Sequence, residues 1–98
     1  MATIQKRKIA TRNGIAPGGT RTVNWNYTPD TVLGYFAYPL TTPASGEHGT
    51  SIGSVEITNV RCTWEIHNDK DDKKFVSITV KNVGSDVVGF DLYQSWIE

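Results

Sequence analysis

Cysteine is almost missing from this chain. Cys62 is the only one in 98 residues, which excludes an internal disulfide and any all-cysteine metal site. A small domain without such staples relies on its core, a situation more usual inside cells than outside them. Long apolar runs are missing as well, since nothing approaches the roughly 18 residues that span a bilayer. The N-terminal "MATIQKRKIATRNG" carries charges but no apolar stretch of the kind a secretory signal needs. A cytoplasmic location is therefore expected if Met1 is the native start, and a secreted one if a signal peptide has been removed. Excess charge of either sign is absent too: ten basic and ten acidic residues cancel. No global field steers the chain toward nucleic acid or an anionic membrane, so neither is an expected partner. The balance is local, however. Up to Gly49 five basic residues face two acidic ones, a surplus of +3, and beyond it five basic face eight acidic, a deficit of −3. Held on separate faces, these charges would let molecules attract head to tail; interleaving on one solvated surface is the expectation.

Helical periodicity is the next absence. No long segment carries apolar residues at a 3.6-residue spacing, whereas threonine, valine, isoleucine and aromatics recur in short alternating runs split by turn residues. That pattern predicts an all-β chain. "TIQKRKIATR" reads as a polar edge strand whose lysines discourage pairing with another molecule. "NGIAPGG" reads as a long turn. In "TRTVNWNY", Val23, Trp25 and Tyr27 share one face. "TVLGYFAYPL" is apolar on both faces and reads as a central strand that Pro39 ends. "VEITNVRCTWEIH" switches parity, with Val55 and Ile57 odd but Val60, Cys62, Trp64 and Ile66 even. One extra residue near Asn59 explains the switch, as a β-bulge or as a corner between sheets. Val76, Ile78 and Val80 then point one way, and Val88, Phe90, Leu92 and Trp96 face inward in the last run. About seven strands result, in one domain spanning residues 1–98. The expected architecture is an antiparallel β-sandwich, immunoglobulin-like or jelly-roll-like, with a partly closed barrel as the alternative.

The stretch "VSITVKNVGSDVVGFDL" resembles the paired strands near the C-terminus of bacterial immunoglobulin-like modules, in which V-x-N-x-G-S closes a hairpin before an aromatic-containing strand. The resemblance covers under a fifth of the chain. It implies an immunoglobulin-like or fibronectin-like topology and a binding or spacer role, and it brings no functional residues across. The paired cysteines of antibody domains are missing.

Five features could carry chemistry. "IHNDKDDKKF" offers Asp69, Asp71 and Asp72, but counting from Asp69 puts Lys74 and Val80 where a calcium loop needs glycine and glutamate, and its lysines repel a cation. It reads as a solvated hairpin tip. The "SGEHG" loop presents Glu47 and His48; together with His67 and Asp69 these could form a zinc or nickel site if the loops met. Nothing in the sequence brings them together, and no cofactor is expected. Cys62 reads as a small core side chain. No G-x-S-x-G, phosphate loop or paired carboxylates occur, so catalysis is not expected. "KRK" at Lys6 to Lys8 would join Arg12 and Arg21 in a basic patch but reads better as edge protection. The aromatics remain. Parity places Trp25, Trp64 and Phe90 inside, while Tyr35, Phe75 and Tyr93 fall on the opposite faces of their strands. The expected function is a non-catalytic module that binds a protein partner or self-associates, with a small carbohydrate-binding domain using Tyr35, Phe75 or Tyr93 as the alternative.

Overall fold

The computed structural model describes residues 3–26, 32–40, 52–66 and 73–97. They form six strands: β1 (Ile4–Ile15), β2 (Thr20–Trp25), β3 (Val32–Leu40), β4 (Val55–Glu65), β5 (Lys73–Asn82) and β6 (Val88–Ile97). The strands make two antiparallel sheets of three, ordered β1-β6-β3 and β2-β5-β4. Neither sheet closes into a barrel among the described residues. Among the described residues the strands number six, where about seven were expected in the whole chain, and the parity switch adds none. The register slips between Ile57 and Asn59, so Thr58 is the extra residue of a bulge, and the run stays one strand in one sheet.

The two central strands carry most of the core, at alternate inward positions. On β5 these are Val76, Ile78 and Val80; on β6 they are Val88, Phe90 and Leu92; all six are essentially inaccessible to solvent. Ile15 and Val23 complete the core from β1 and β2, with Ile9, Ala10, Trp25, Tyr35, Ala37, Val55 and Ile57 packed around it. Each fully buried aliphatic of this kind contributes roughly 1.5–3 kcal/mol. The "NGIAPGG" segment is shorter as a turn than expected, because β1 continues through Asn13 and Gly14 to bury Ile15. The chain then reverses over Ala16–Gly19, where the Gly19 amide donates to the Ala16 carbonyl at 2.8 Å and Gly18 has φ 80°. Pro17 followed by a left-handed glycine is the requirement of a type II turn.

Two further expectations are corrected. Among the described residues β3 is an edge strand, not a central one, and Pro39 does not end its pairing, since Pro39 and Leu40 still face Phe90 and Gly89 of β6. The "V-x-N-x-G-S" turn does not close a hairpin: β5 and β6 lie in different sheets, and residues 83–87 carry the chain from one layer to the other. Asn82 causes this. Its side chain is fully buried, donates to the carbonyls of Ile15 at 2.8 Å and Asp86 at 2.7 Å, and accepts from the Gly84 amide at 2.9 Å. β4 and β5 do pair antiparallel on either side of the charged run, as the hairpin reading of that run requires.

Candidate functional site

The strand partners of β3 place Gly34, Phe36 and Tyr38 beside Ser95, Tyr93 and Asp91 on the outer face of the first sheet. There the Tyr38 and Tyr93 rings meet edge to face, 5.3 Å between centroids at 78°. The Lys6 ammonium lies 4.9 Å from the Tyr93 ring centre and 5.8 Å from that of Tyr38. Asp91 accepts from the Thr11 hydroxyl at 2.6 Å and pairs with Lys8 at 3.9 Å. Phe36 and Tyr38 each remain 47% exposed and Leu33 52%. The other edge of β3 faces no strand among the described residues. It is also the one strand of the six without a charged residue. The remaining five are guarded: the strands together hold nine of the ten basic residues but three of the ten acidic ones. Charge is thus partitioned between strands and connections rather than between the halves of the sequence. Two copies stacked face to face would bring cationic strands together, a repulsion that an approach along β3 avoids.

On β4 the inward-pointing side chains emerge step by step from cover. Val55 and Ile57 pack against the core, but Val60 is 46% exposed, Cys62 is exposed, Trp64 is 58% exposed and Ile66 70%. Parity had placed Cys62, Trp64 and Ile66 inside; their direction is as expected and their burial is not. Packed sheets cross at an angle because each is twisted, so a strand covered at one end can overhang at the other. β3 and β4 share one side of the molecule, and the overhang lies along it. Beside Trp64, a concavity of about 250 Å³ is lined by Cys62, Thr63, Trp64, Lys74 and Phe75, with the Lys74 ammonium 5.0 Å above the Trp64 ring centre.

The three aromatics singled out from the sequence are not brought together. Tyr93 is on the outer face of the first sheet, in the cluster just described. Phe75 is half-buried on the outer face of the second, opposite Thr63, among the Thr22–Thr79 and Ser77–Asn24 hydrogen bonds. Tyr35 points inward, contrary to expectation, because β3 turns its odd positions to the core and Phe36 and Tyr38 outward. In register across the strands, Arg7, Gln94 and Tyr35 form one row facing Trp25, Val76 and Cys62 in the other sheet. Gln94 donates to the Tyr35 hydroxyl at 3.1 Å, while the Gln94 carbonyl oxygen and the Trp25 indole N–H are buried without a partner. The Arg7 guanidinium lies over the Trp25 ring, 5.6 Å from its centre, and 5.1 Å from that of Trp96. Burial pushes the Tyr35 phenol above its ordinary pKa; the Gln94 hydrogen bond opposes the shift and Cys62 adds to it.

Glu47, His48, His67 and Asp69 lie outside the described residues. Among the described residues no three His, Cys, Asp or Glu side chains gather as a metal ion would need, and no helix is long and apolar enough to cross a membrane. The sequence reading missed Phe36, Tyr38 and Val60 as surface residues. For Phe36 and Tyr38 the one signal was the lack of charge over nine residues of β3; Val60, on β4, had none. Compared with models of known families, with curated proteins and with solved structures, the chain gives no match.

Proposed function

We propose that the chain is a non-catalytic assembly module, an open β-sandwich that self-associates through the free edge of β3. The observation that carries this is the uncharged nine-residue edge strand with Phe36 and Tyr38 about half exposed. An exposed edge presents unpaired N–H and C=O groups, and proteins that stay monomeric guard such edges with charge, proline or a bulge. β1, at the other edge of the same sheet, has Lys6, Arg7, Lys8 and Arg12. β3 carries no charge, and with a register shift between Val32 and Gly34 at its start and Pro39 near its end, the stretch from Gly34 to Tyr38 is its unguarded part.

A partner that supplies a strand satisfies those groups and covers the flanking aromatics at once. A carbohydrate ligand receives less support. Tyr38 and Tyr93 stand at 78° to each other under a shared ammonium, whereas stacking on successive sugar rings calls for accessible ring faces presented side by side.

Light scattering at high concentration is expected to give a mass above that of the monomer. In the variant Phe36→Lys it is expected to fall to the monomer mass with the far-UV circular dichroism unchanged. By symmetry each dimer would lose two aromatics and gain two facing ammonium groups, a loss of about 3 kcal/mol or about a hundredfold in Kd. A wild-type chain that stays monomeric at high concentration sinks the proposal.

A further inference from the structure

The overhang of β4 and the free edge of β3 lie on the same side of the molecule, and one event can remove both. We infer that the second copy, by adding its β3 antiparallel to this one, extends the first sheet over Val60, Cys62 and Trp64 and so buries them. This rests on the self-association proposed above and names its geometry. An antiparallel pair of identical strands has a two-fold axis, and each half of the interface must be complementary to itself. With the axis at Phe36, Phe36 faces its own copy and Tyr38 faces Gly34 of the second molecule, all on the outer side of the extended sheet. An aromatic ring lying across from an edge glycine is a stabilising cross-strand arrangement. Tyr35 and Ala37 face each other on the inner side, above the sheet that holds β4.

The charge pattern supports a second copy over another protein: β3 is the one strand of the six without a charged residue, so along it identical molecules meet without the repulsion that the basic strands would bring. On the inner side Val60, Trp64 and Ile66 are exposed, and pairing of the two β3 edges without the sheet extending over β4 would leave them in water.

Cys62 reports on the difference. Its alkylation by iodoacetamide, followed by mass spectrometry, is measured over a dilution series alongside sedimentation velocity on the same samples. In the dimer the rate is expected to fall about tenfold relative to the dilute monomer, since the reaction needs an accessible thiolate. Phe36→Lys supplies a second monomeric reference, and dilution of the wild type replaces it if that variant does not fold. Dimerisation with an unchanged Cys62 rate overturns the burial of β4 while leaving self-association standing. A monomer at every concentration overturns both.

Discussion

Replacing Asn82 by alanine is expected to lower the unfolding free energy by about 3–4 kcal/mol, read from the midpoint of a urea titration. The side chain is completely buried and makes three hydrogen bonds of 2.7 to 2.9 Å to the end of β1 and to both sides of the passage from β5 to β6. Alanine fills none of these positions, and the carbonyls of Ile15 and Asp86 and the amide of Gly84 lose their Asn82 partner. Each buried polar group left unpaired costs about 1–3 kcal/mol. A domain of this size has a stability of roughly 5–15 kcal/mol in total, so the variant should populate unfolded chains under conditions where the wild type does not. Asn82→Asp separates hydrogen bonding from shape. Its carboxylate would accept from Gly84 but face two carbonyl oxygens with no proton to donate. That repulsion raises the folded-state pKa of the introduced acid above its unfolded value, so the variant gains stability as the pH falls through the folded pKa and loses it as the pH rises. Asn24→Ala is the control. It removes one exposed bond of 2.6 Å to Ser77 and should cost under about 1 kcal/mol. An Asn82→Ala variant as stable as the Asn24 control would mean that Asn82 does not hold the crossing together.

The same residue explains what the sequence could and could not reveal. β5 and β6 were legible because Val76, Ile78 and Val80 alternate on one and Val88, Phe90 and Leu92 on the other, and alternation is a local property of a strand with one face buried. The bulge near Asn59 was legible for the same reason: a parity flip inside one run has few physical causes. The passage between them was not. Its turn chemistry fits a hairpin, while the bond from Asn82 to Ile15 joins positions 67 apart in the chain and ties the passage to the other sheet, which no local pattern announces. β4 was legible in direction and not in burial, because Cys62 and Trp64 point where parity sends them while their cover depends on how far β3 reaches. β3 was misplaced outright. A strand without charge reads as covered on both faces, and among the described residues of the single chain it is an edge. Lack of charge says that a strand is to be covered without saying by which chain, and the proposed dimer reconciles the two.

The second large effect is expected at Gly89. Alanine there should destabilise the fold by about 3 kcal/mol, near the upper end for an added methyl group in a packed site. A Cβ on Gly89 would stand 2.6 Å from the Arg12 carbonyl oxygen, 2.7 Å from the Asn13 side-chain oxygen and 3.2 Å from the Asn13 Cα. The Asn13 amide group can swing away, but the other two atoms are backbone. β1 must therefore back off from β6 where its register already shifts, between Arg12 and Ile15. Ile15 is fully buried in the core and its carbonyl holds Asn82, so the displacement reaches both. Gly18→Ala tests the cause. Nothing lies within 4 Å of a Cβ there, but φ is 80°, and a left-handed alanine costs about 1–2 kcal/mol with no neighbour disturbed. Amide exchange distinguishes the two better than stability alone. In Gly89→Ala, protection of residues 12–15 and of the β6 amides opposite them should fall, while in Gly18→Ala the change should stay within the turn. Unaltered protection of β1 in Gly89→Ala would show that β1 does not run as close to β6 as these contacts require, and the seat of Ile15 and Asn82 would have to be redrawn with it.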